Sequence, residues 1–441
     1  MAPERSKGGC SWTFTAELEG NLKQVFLSYS AKDRAEVDAF DREMRRRGVP
    51  VWRDRRDLTG GRATRKEIEK AFQDALGTVF FLTENAAESE WVRETERRLA
   101  QEANARWFGH GIFPVFRHDR REITQAMQNQ AADRAALDAY DLSTMDGYVV
   151  KTTESPTKES LIGEFRKAAR RVLGGVLKSL DESKATGAAL RIGLATRGAI
   201  TAQDPNNDLL ADWSADFPGV DGGPSAPPSP EIWAESLLPA LADLQAEIST
   251  PRRSGRRAVV LVPQCHLTLA LAAGFQFRRN VQVDVSVIEP NTGSHWTAPR
   301  LPEPGNPAAW TVERLDLGAG KDVALVVNVT QPPESVRAQL RSNVESCVGS
   351  ALIFEPAGGP SFTWLSGLDA LEPHRRAMAV VERVRTDEAY PASKNVHLYF
   401  AGPAAFAVLL AQQFSNLRSV QTYEWLNSEQ RYVPGPRLIS S

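Results

Sequence analysis

Among the carboxylates of this 441-residue chain, Glu96 has an unusual setting. The residues around it spell an amphipathic helix, and it falls on the apolar side. With about 100° of rotation per residue, Leu99, Ala103 and Trp107 lie within about 60° of Val92, while Glu96 lies at about 40° and Glu94 at about 200°, on the solvated face. A carboxylate on a face that otherwise buries itself costs free energy unless it lines a cleft or meets a cation. Glu96 is therefore expected to serve a pocket, with pairing to Arg93 or Arg97 as the structural alternative; Glu94 and the strand-end Glu84 are the other candidates. A second set of residues gathers around two turns. The stretches 258–270 and 395–410 each read as an apolar strand, a Pro-containing turn and a helix. The unpaired amides and positive dipole end of such a helix suit phosphate. Gln264, Cys265 and His266 occupy the first turn, and Gly402, Pro403 and Ala404 the second. Asn328 and Thr330 end a third strand, His295 and Trp296 follow a fourth, and Lys394 and Arg431 add charge.

The elements that must position these groups alternate. Strands are expected near 24–29, 49–52, 78–82, 111–116 and 146–150, with helices near 32–47, 63–76, 89–108, 120–136 and 157–181. Regular strand–helix alternation means a parallel sheet wrapped on both faces, a flavodoxin-like α/β domain. Ligands of such domains bind beyond the carboxyl ends of the strands, where the first run stops at Ser28-Tyr29-Ser30 and the third at Thr83-Glu84-Asn85. We place the first domain at 20–181 and the second at 186–441. The Pro-, Gly- and Asp-rich segment 203–231 reads as a loop inside the second domain, because the strand 190–194 precedes it. The strand–turn–helix repeat implies two Rossmann-like halves around a shared cleft.

Composition removes several classes. A net charge of −2 with 24% charged residues leaves no basic excess to hold a long nucleic acid. Three dispersed cysteines, Cys10, Cys265 and Cys347, and six histidines without ligand spacing predict neither a disulfide framework nor a metal site. No apolar run reaches the roughly 18 residues a membrane span needs, and the first residues lack an apolar signal segment, so a cytoplasmic protein without a membrane partner is expected. The N-terminal half lacks the clustered Asp/Glu/Lys site of a metal-dependent nuclease, and no G-x-G-x-x-G follows the first strand as a dehydrogenase would need.

The order F-L-S-Y-S at 26–30, G-V-P-V-W at 48–52 with a polar loop to Gly61, V-F-F-L-T at 79–83 and S-E-W-V at 89–92 resembles a TIR domain, over roughly residues 20–180. That resemblance implies NAD+ as substrate and cleavage of the nicotinamide–ribose bond. Nicotinamide leaves neutral, so the main need is an anion beside the developing oxocarbenium charge. The family sets this carboxylate four residues beyond the Trp of S-x-W, a slot that is Thr95 here, which leaves Glu96, then Glu94 and Glu84. The resemblance also puts Tyr29, Ser30 and Trp91 at the pocket border and Trp52 against a nicotinamide or adenine ring. Asp57 and Leu58, in what the family calls the BB loop, would reach a neighbouring protomer and complete a composite site.

Residues 186–441 resemble a SAVED domain, whose two halves are each similar to a CARF domain. Carrying this are Asp212-Trp213, Ile232-Trp233, the strand–turn–helix at 258–273, Val287-Ile288 with His295-Trp296, and Phe400-Ala401-Gly402-Pro403 with Tyr423-Glu424-Trp425. It implies a sensor of cyclic oligonucleotides, of which cyclic tri-adenylate is the family's common choice. Trp296 would stack on a base, a contact of about 1–3 kcal/mol. The two resemblances together point to a TIR-SAVED effector of bacterial CBASS antiviral defence. The expected function is an NAD+ glycohydrolase switched on by ligand-driven oligomerisation or filament formation, with no cofactor beyond its substrate and activator. The alternative is a non-enzymatic TIR scaffold that recruits a partner, favoured by the displaced family glutamate.

Overall fold

A computed structural model describes residues 23–53, 65–89, 92, 96–106, 110–117, 121–123, 147–151, 157–184, 188–196, 206–217, 227–250, 256–278, 283–299, 304–361, 363–390, 395–426, 429 and 431–440. The first sheet holds β1 (Val25–Ser28), β2 (Val51–Trp52), β3 (Gly77–Leu82), β4 (Gly111–Phe116) and β5 (Tyr148–Val149). All pairings are parallel, in the order β2-β1-β3-β4-β5, which is the flavodoxin-like order. β3 reads as an unbroken apolar run because every one of its residues is buried, as a central parallel strand covered on both faces demands. The helix expected over 89–108 appears in its described part as Arg97–Arg106, preceded by a separate short helix, Glu84–Glu88, that Thr83 caps by accepting from the Ala86 amide. Most of the helix expected over 120–136 lies outside the described residues.

Two further sheets follow. One contains β6 (Leu190–Ala195), β7 (Leu209–Asp212), β8 (Arg257–Gln264), β9 (Val283–Ile288) and β10 (His295–Thr297), in the order β10-β9-β8-β6-β7. The other contains β11 (Trp310–Asp316), β12 (Asp322–Asn328), β13 (Val348–Pro356), β14 (Val396–Ala401), β15 (Ser419–Leu426) and β16 (Arg431–Ile439), in the order β11-β13-β12-β14-β15-β16. Both have parallel centres, and their antiparallel pairings lie at the margins. The helix Leu267–Gln276 follows β8 and the helix Ala404–Ala411 follows β14, as the internal repeat requires. These two helices are buried over nearly their whole surface, so they are apolar all round rather than striped. They meet at Gly274, where an added Cβ would overlap the Val408 carbonyl.

The first domain is docked on the second by charge as well as by apolar contact. Glu43, 2% exposed, accepts from Arg46 at 2.6 Å through one oxygen and from Arg47 at 2.6 Å through the other. Arg46 then reaches Asp216, while Arg47, fully buried, donates to Asp243 at 2.9 Å. Trp213, also fully buried, donates its indole N–H to the Arg46 carbonyl at 2.8 Å. Gly48 closes the helix Arg34–Arg46 at φ +89°, a left-handed position that favours glycine. Its carbonyl accepts from the Leu210 amide of β7 at 3.0 Å. Below this joint one apolar cluster runs from β1 through the long helix Lys158–Ser183 to Leu209 and Leu244.

Two outcomes follow from the packing. Gly274→Ala forces the paired helices apart and lowers unfolding free energy by about 1–3 kcal/mol, the usual cost of overpacking a core, read by chemical denaturation. Glu43→Ala removes one of two carboxylate partners from each of the two buried guanidiniums, which keep Asp216 and Asp243, and costs about 1–3 kcal/mol, visible in the same measurement.

Candidate functional site

In the first domain the carboxyl ends of the strands collect the polar groups. Ser28, the last residue of β1, donates its hydroxyl to Glu96 Oε2 at 2.5 Å, a length typical of a charge-assisted O–H···O bond. Both side chains are buried, Glu96 at 7% exposure. Val92, Leu99 and Ala100 belong to one buried apolar cluster, and Glu96 is buried on the same segment. Glu84 is exposed in the first turn of its short helix. Asp33 ties the ends of β1 and β3 together, accepting from Thr83 at 2.5 Å and Asn85 at 2.6 Å.

The neighbours are fixed as well. The Arg53 guanidinium lies 4.9 Å from the Tyr29 ring centre and donates to its hydroxyl at 3.2 Å, while also pairing with Asp38 at 2.7 Å. Tyr29 thus holds the exit of β2. Ser30 is buried and its carbonyl accepts from the Asp33 amide. Trp52 stacks on Phe26 at 4.9 Å, so one face of its ring is occupied by the core. Asp57, Leu58, Trp91 and Glu94 lie outside the described residues. A charged cleft of about 490 Å³ opens beside the domain joint, with Arg34, Arg42, Arg53 and Asp212 in its wall, and holds none of the predicted site residues.

In the second domain the predicted residues divide into those near the surface and those already committed to internal bonds. Gln264, Thr330, Gly402, Pro403 and Ala404 are half-buried at strand ends, and His295 is exposed with its Nε2 2.7 Å from Ser286 Oγ. Cys265 is buried. His266 stacks on Phe217 at 4.7 Å. Thr196 Oγ1 accepts from the His266 amide at 2.8 Å, so its hydroxyl proton is available for the ring Nδ1 at 2.7 Å. Asn328, fully buried, donates to Gln331 O and Glu355 and accepts from the Gln331 amide, which makes it a loop staple. Trp296 is 2% exposed inside the core, so in this conformation its ring presents no face to a base; the pattern of β10, exposed-buried-intermediate, turns it inward. Lys394 lies outside the described residues, and Arg431 pairs with Glu429 at 2.6 Å.

Two carboxylates at this edge were not anticipated as site residues. Glu424 of β15 accepts from the Thr268 amide at 3.0 Å and the Thr268 hydroxyl at 2.8 Å. The first turn of the helix Leu267–Gln276, expected to offer its amides to phosphate, is therefore partly capped by the chain itself. The available signal was an acidic residue between two aromatics, Tyr423 and Trp425, within a strand. Glu289, just beyond β9, is 5% exposed, and its Oε2 has no hydrogen-bond partner among the described residues. Burial raises its pKa against the opposing hydrogen bonds from Asn291. A carboxyl with a raised folded pKa favours the fold while protonated and loses that contribution as pH rises through the folded value. Glu289→Gln should consequently gain stability over the parent as pH rises from about 4, the ordinary carboxylate range, to neutrality, with melting temperature against pH as the measurement.

This architecture defines a two-part protein, a flavodoxin-like domain with a buried strand-end carboxylate, docked on a pair of Rossmann-like halves. Residues 25–148 match the TIR domain family, and residues 241–438 match SAVED, the sensor domain described as SMODS-associated and fused to various effectors. The chain therefore carries a TIR domain and a SAVED domain. It is similar to the Acinetobacter baumannii Cap4 SAVED/CARF-domain containing receptor solved with the cyclic trinucleotide 2'3'3'-cAAA, at 12% identity over 86% of each chain and a TM-score of 0.44. The same receptor with 3'3'3'-cAAA is 14% identical, covering 95% of this chain and 81% of the other, at a TM-score of 0.41. The Moraxella osloensis Cap4 receptor is 12% identical over 94% of this chain and 87% of its own, at 0.37. No curated protein matches the chain. Among the described residues no helix is long and apolar enough to cross a membrane.

Proposed function

We propose that the chain is a cyclic-oligonucleotide-sensing TIR effector whose TIR domain is an NAD+ glycohydrolase, with NAD+ as substrate and a cyclic oligonucleotide, cyclic tri-adenylate foremost, as activator. The observation that carries the catalytic reading is the buried Glu96 carboxylate, held by Ser28 at the carboxyl end of β1. An anion fixed there in a low-dielectric site stabilises positive charge growing on the ribose without having to reorganise. Because nicotinamide departs neutral, no proton donor is needed opposite it. Ser28 is a positioning residue: its hydrogen bond fixes one carboxylate oxygen.

Tyr29, Ser30 and Trp91 border the nicotinamide end in this reading, and Trp52 presents its remaining ring face. Asp57 and Leu58 reach the neighbouring protomer. A site shared between protomers makes activity depend on assembly, and the ionic joint between the domains lets the SAVED part carry the TIR part as it assembles. A head-to-tail SAVED contact that does not close would build a filament. The activator's phosphates would meet the turns at Gln264–His266 and Gly402–Ala404, with Thr330, His295 and Lys394 nearby. The protein would act in the cytoplasm in antiviral defence, by depleting NAD+.

Purified protein mixed with NAD+ and a panel of cyclic di-, tri- and tetranucleotides should release nicotinamide with one ligand only, together with a rise in particle mass by light scattering. Glu96→Gln should lose on the order of 10²–10³-fold of that rate while still assembling. Silence across the panel, with assembly intact, would favour the scaffold reading, and full activity in Glu96→Gln would pass the role to Glu94 or Glu84.

A further inference from the structure

At the amino-terminal edge of the third sheet, three side chains of different chemistry converge. Asp322 opens β12, Cys347 immediately precedes β13, and His397 is the second residue of β14. His397 Nε2 lies 3.7 Å from Cys347 Sγ and 3.3 Å from Asp322 Oδ2, and the three ligand atoms all fall within 4.8 Å of one another. Because β12, β13 and β14 run parallel, this edge is opposite the strand ends that hold Asn328 and Gly402. The cluster is therefore separate from the activator site assigned above.

The hydrogen-bond chain behind the histidine sets its tautomer. Tyr423 donates its hydroxyl to Glu345 Oε1 at 2.7 Å, so the same oxygen accepts from His397 Nδ1–H, 2.7 Å away. A neutral ring then carries its lone pair on Nε2, aimed between a carboxylate oxygen and a sulfur. Asparagine 395 steadies the carboxylate, its amide and side chain donating to Asp322 at 3.2 and 3.1 Å. A ring nitrogen, a carboxylate oxygen and a sulfur this close together can share a cation.

We propose that Asp322, Cys347 and His397 bind a divalent transition-metal ion, best zinc. Tetrahedral zinc, with bonds of about 2.3 Å to sulfur and about 2.0–2.1 Å to nitrogen and oxygen, sets S···N at about 3.6 Å and N···O at about 3.3 Å, close to the spacings found. Glu345 Oε2 lies 3.8 Å from the sulfur but outside the set of mutually close ligand atoms, so the fourth position falls to solvent. Binding releases the thiol proton to solvent and leaves a thiolate on the metal. Tyr423 and Glu345 Oε1 supply the outer hydrogen bonds that orient a metal-bound histidine. The ion would pin the segment before β13 to β12 and β14 as a structural clamp.

The test uses the tag-free full chain. After zinc loading and dialysis, elemental analysis should find one zinc per chain, and cobalt substitution should give a near-ultraviolet thiolate-to-metal charge-transfer band. Cys347→Ser, at an exposed position, should abolish the band, and Tyr423→Phe should weaken affinity by about 10–100-fold. His397→Gln should lose the metal, with circular dichroism checking that it folds. Sub-stoichiometric zinc in the parent, binding unchanged in Cys347→Ser, or a cobalt spectrum without the thiolate band would each overturn the proposal, leaving His397 and Asp322 as a proton-mediated ion pair.

Discussion

Glu43 is the interaction on which the rest of the molecule turns. One buried carboxylate holds two arginines, and each arginine continues to an aspartate of the other domain. Such an arrangement is costly to assemble, since each ion loses its water, and adds little net stability over an apolar contact. Its value lies in specificity. A guanidinium accepts only a narrow set of directions, so Arg46 and Arg47 set the angle at which the helix Arg34–Arg46 meets β7 and the residues after it. The Gly48 carbonyl then joins the Leu210 amide, and the relation between the two domains is set by backbone as well as side chains.

That fixed relation gives meaning to having a sensor and an effector in one chain. A flexible linker would pass on only proximity, whereas a rigid joint also passes on orientation. In the reading proposed here, the first domain contributes a catalytic anion and part of a substrate wall, and orientation is what brings a second copy's loop against it. Within the first domain the same economy recurs at smaller scale. Ser28, the last residue of β1, and Asp33, just beyond it, are each tied to a different element, Glu96 in one case and Thr83 with Asn85 in the other.

The SAVED halves hold their polar groups in a different condition. Glu424 accepts from an amide of one helix N-terminus, Asn328 staples its own loop, and Glu289 keeps an oxygen without a partner among the described residues. One helix N-terminus here is thus already partly occupied by a carboxylate of the chain itself. Phosphate recognition at this edge would require rearrangement of such contacts, a differential interaction of the kind that lets a ligand shift a conformational equilibrium. The opposite edge of the third sheet behaves otherwise, because its donors converge on a point rather than on a cleft.

The sequence by itself determined the strand–helix alternation of the first domain and the repeated unit of the second. Alternation of apolar runs with amphipathic stretches predicts five parallel strands in the first domain, and the repeated strand–turn–helix predicts the two halves of the second. Both are local patterns with fixed periods, and local patterns survive without knowledge of neighbours. Helical periodicity also marked Glu96 as a carboxylate on an apolar face, since that too needs only a rotation per residue. Tertiary structure decided which strand-end residues stay accessible: Trp296 turns into the core and Asn328 into its loop, because burial depends on what other elements cover. It also decided that Ser28 faces Glu96, and that Asp322, Cys347 and His397 share a corner. Their spacing in the chain follows no ligand motif, because three parallel strands, not one turn or helix, bring them together.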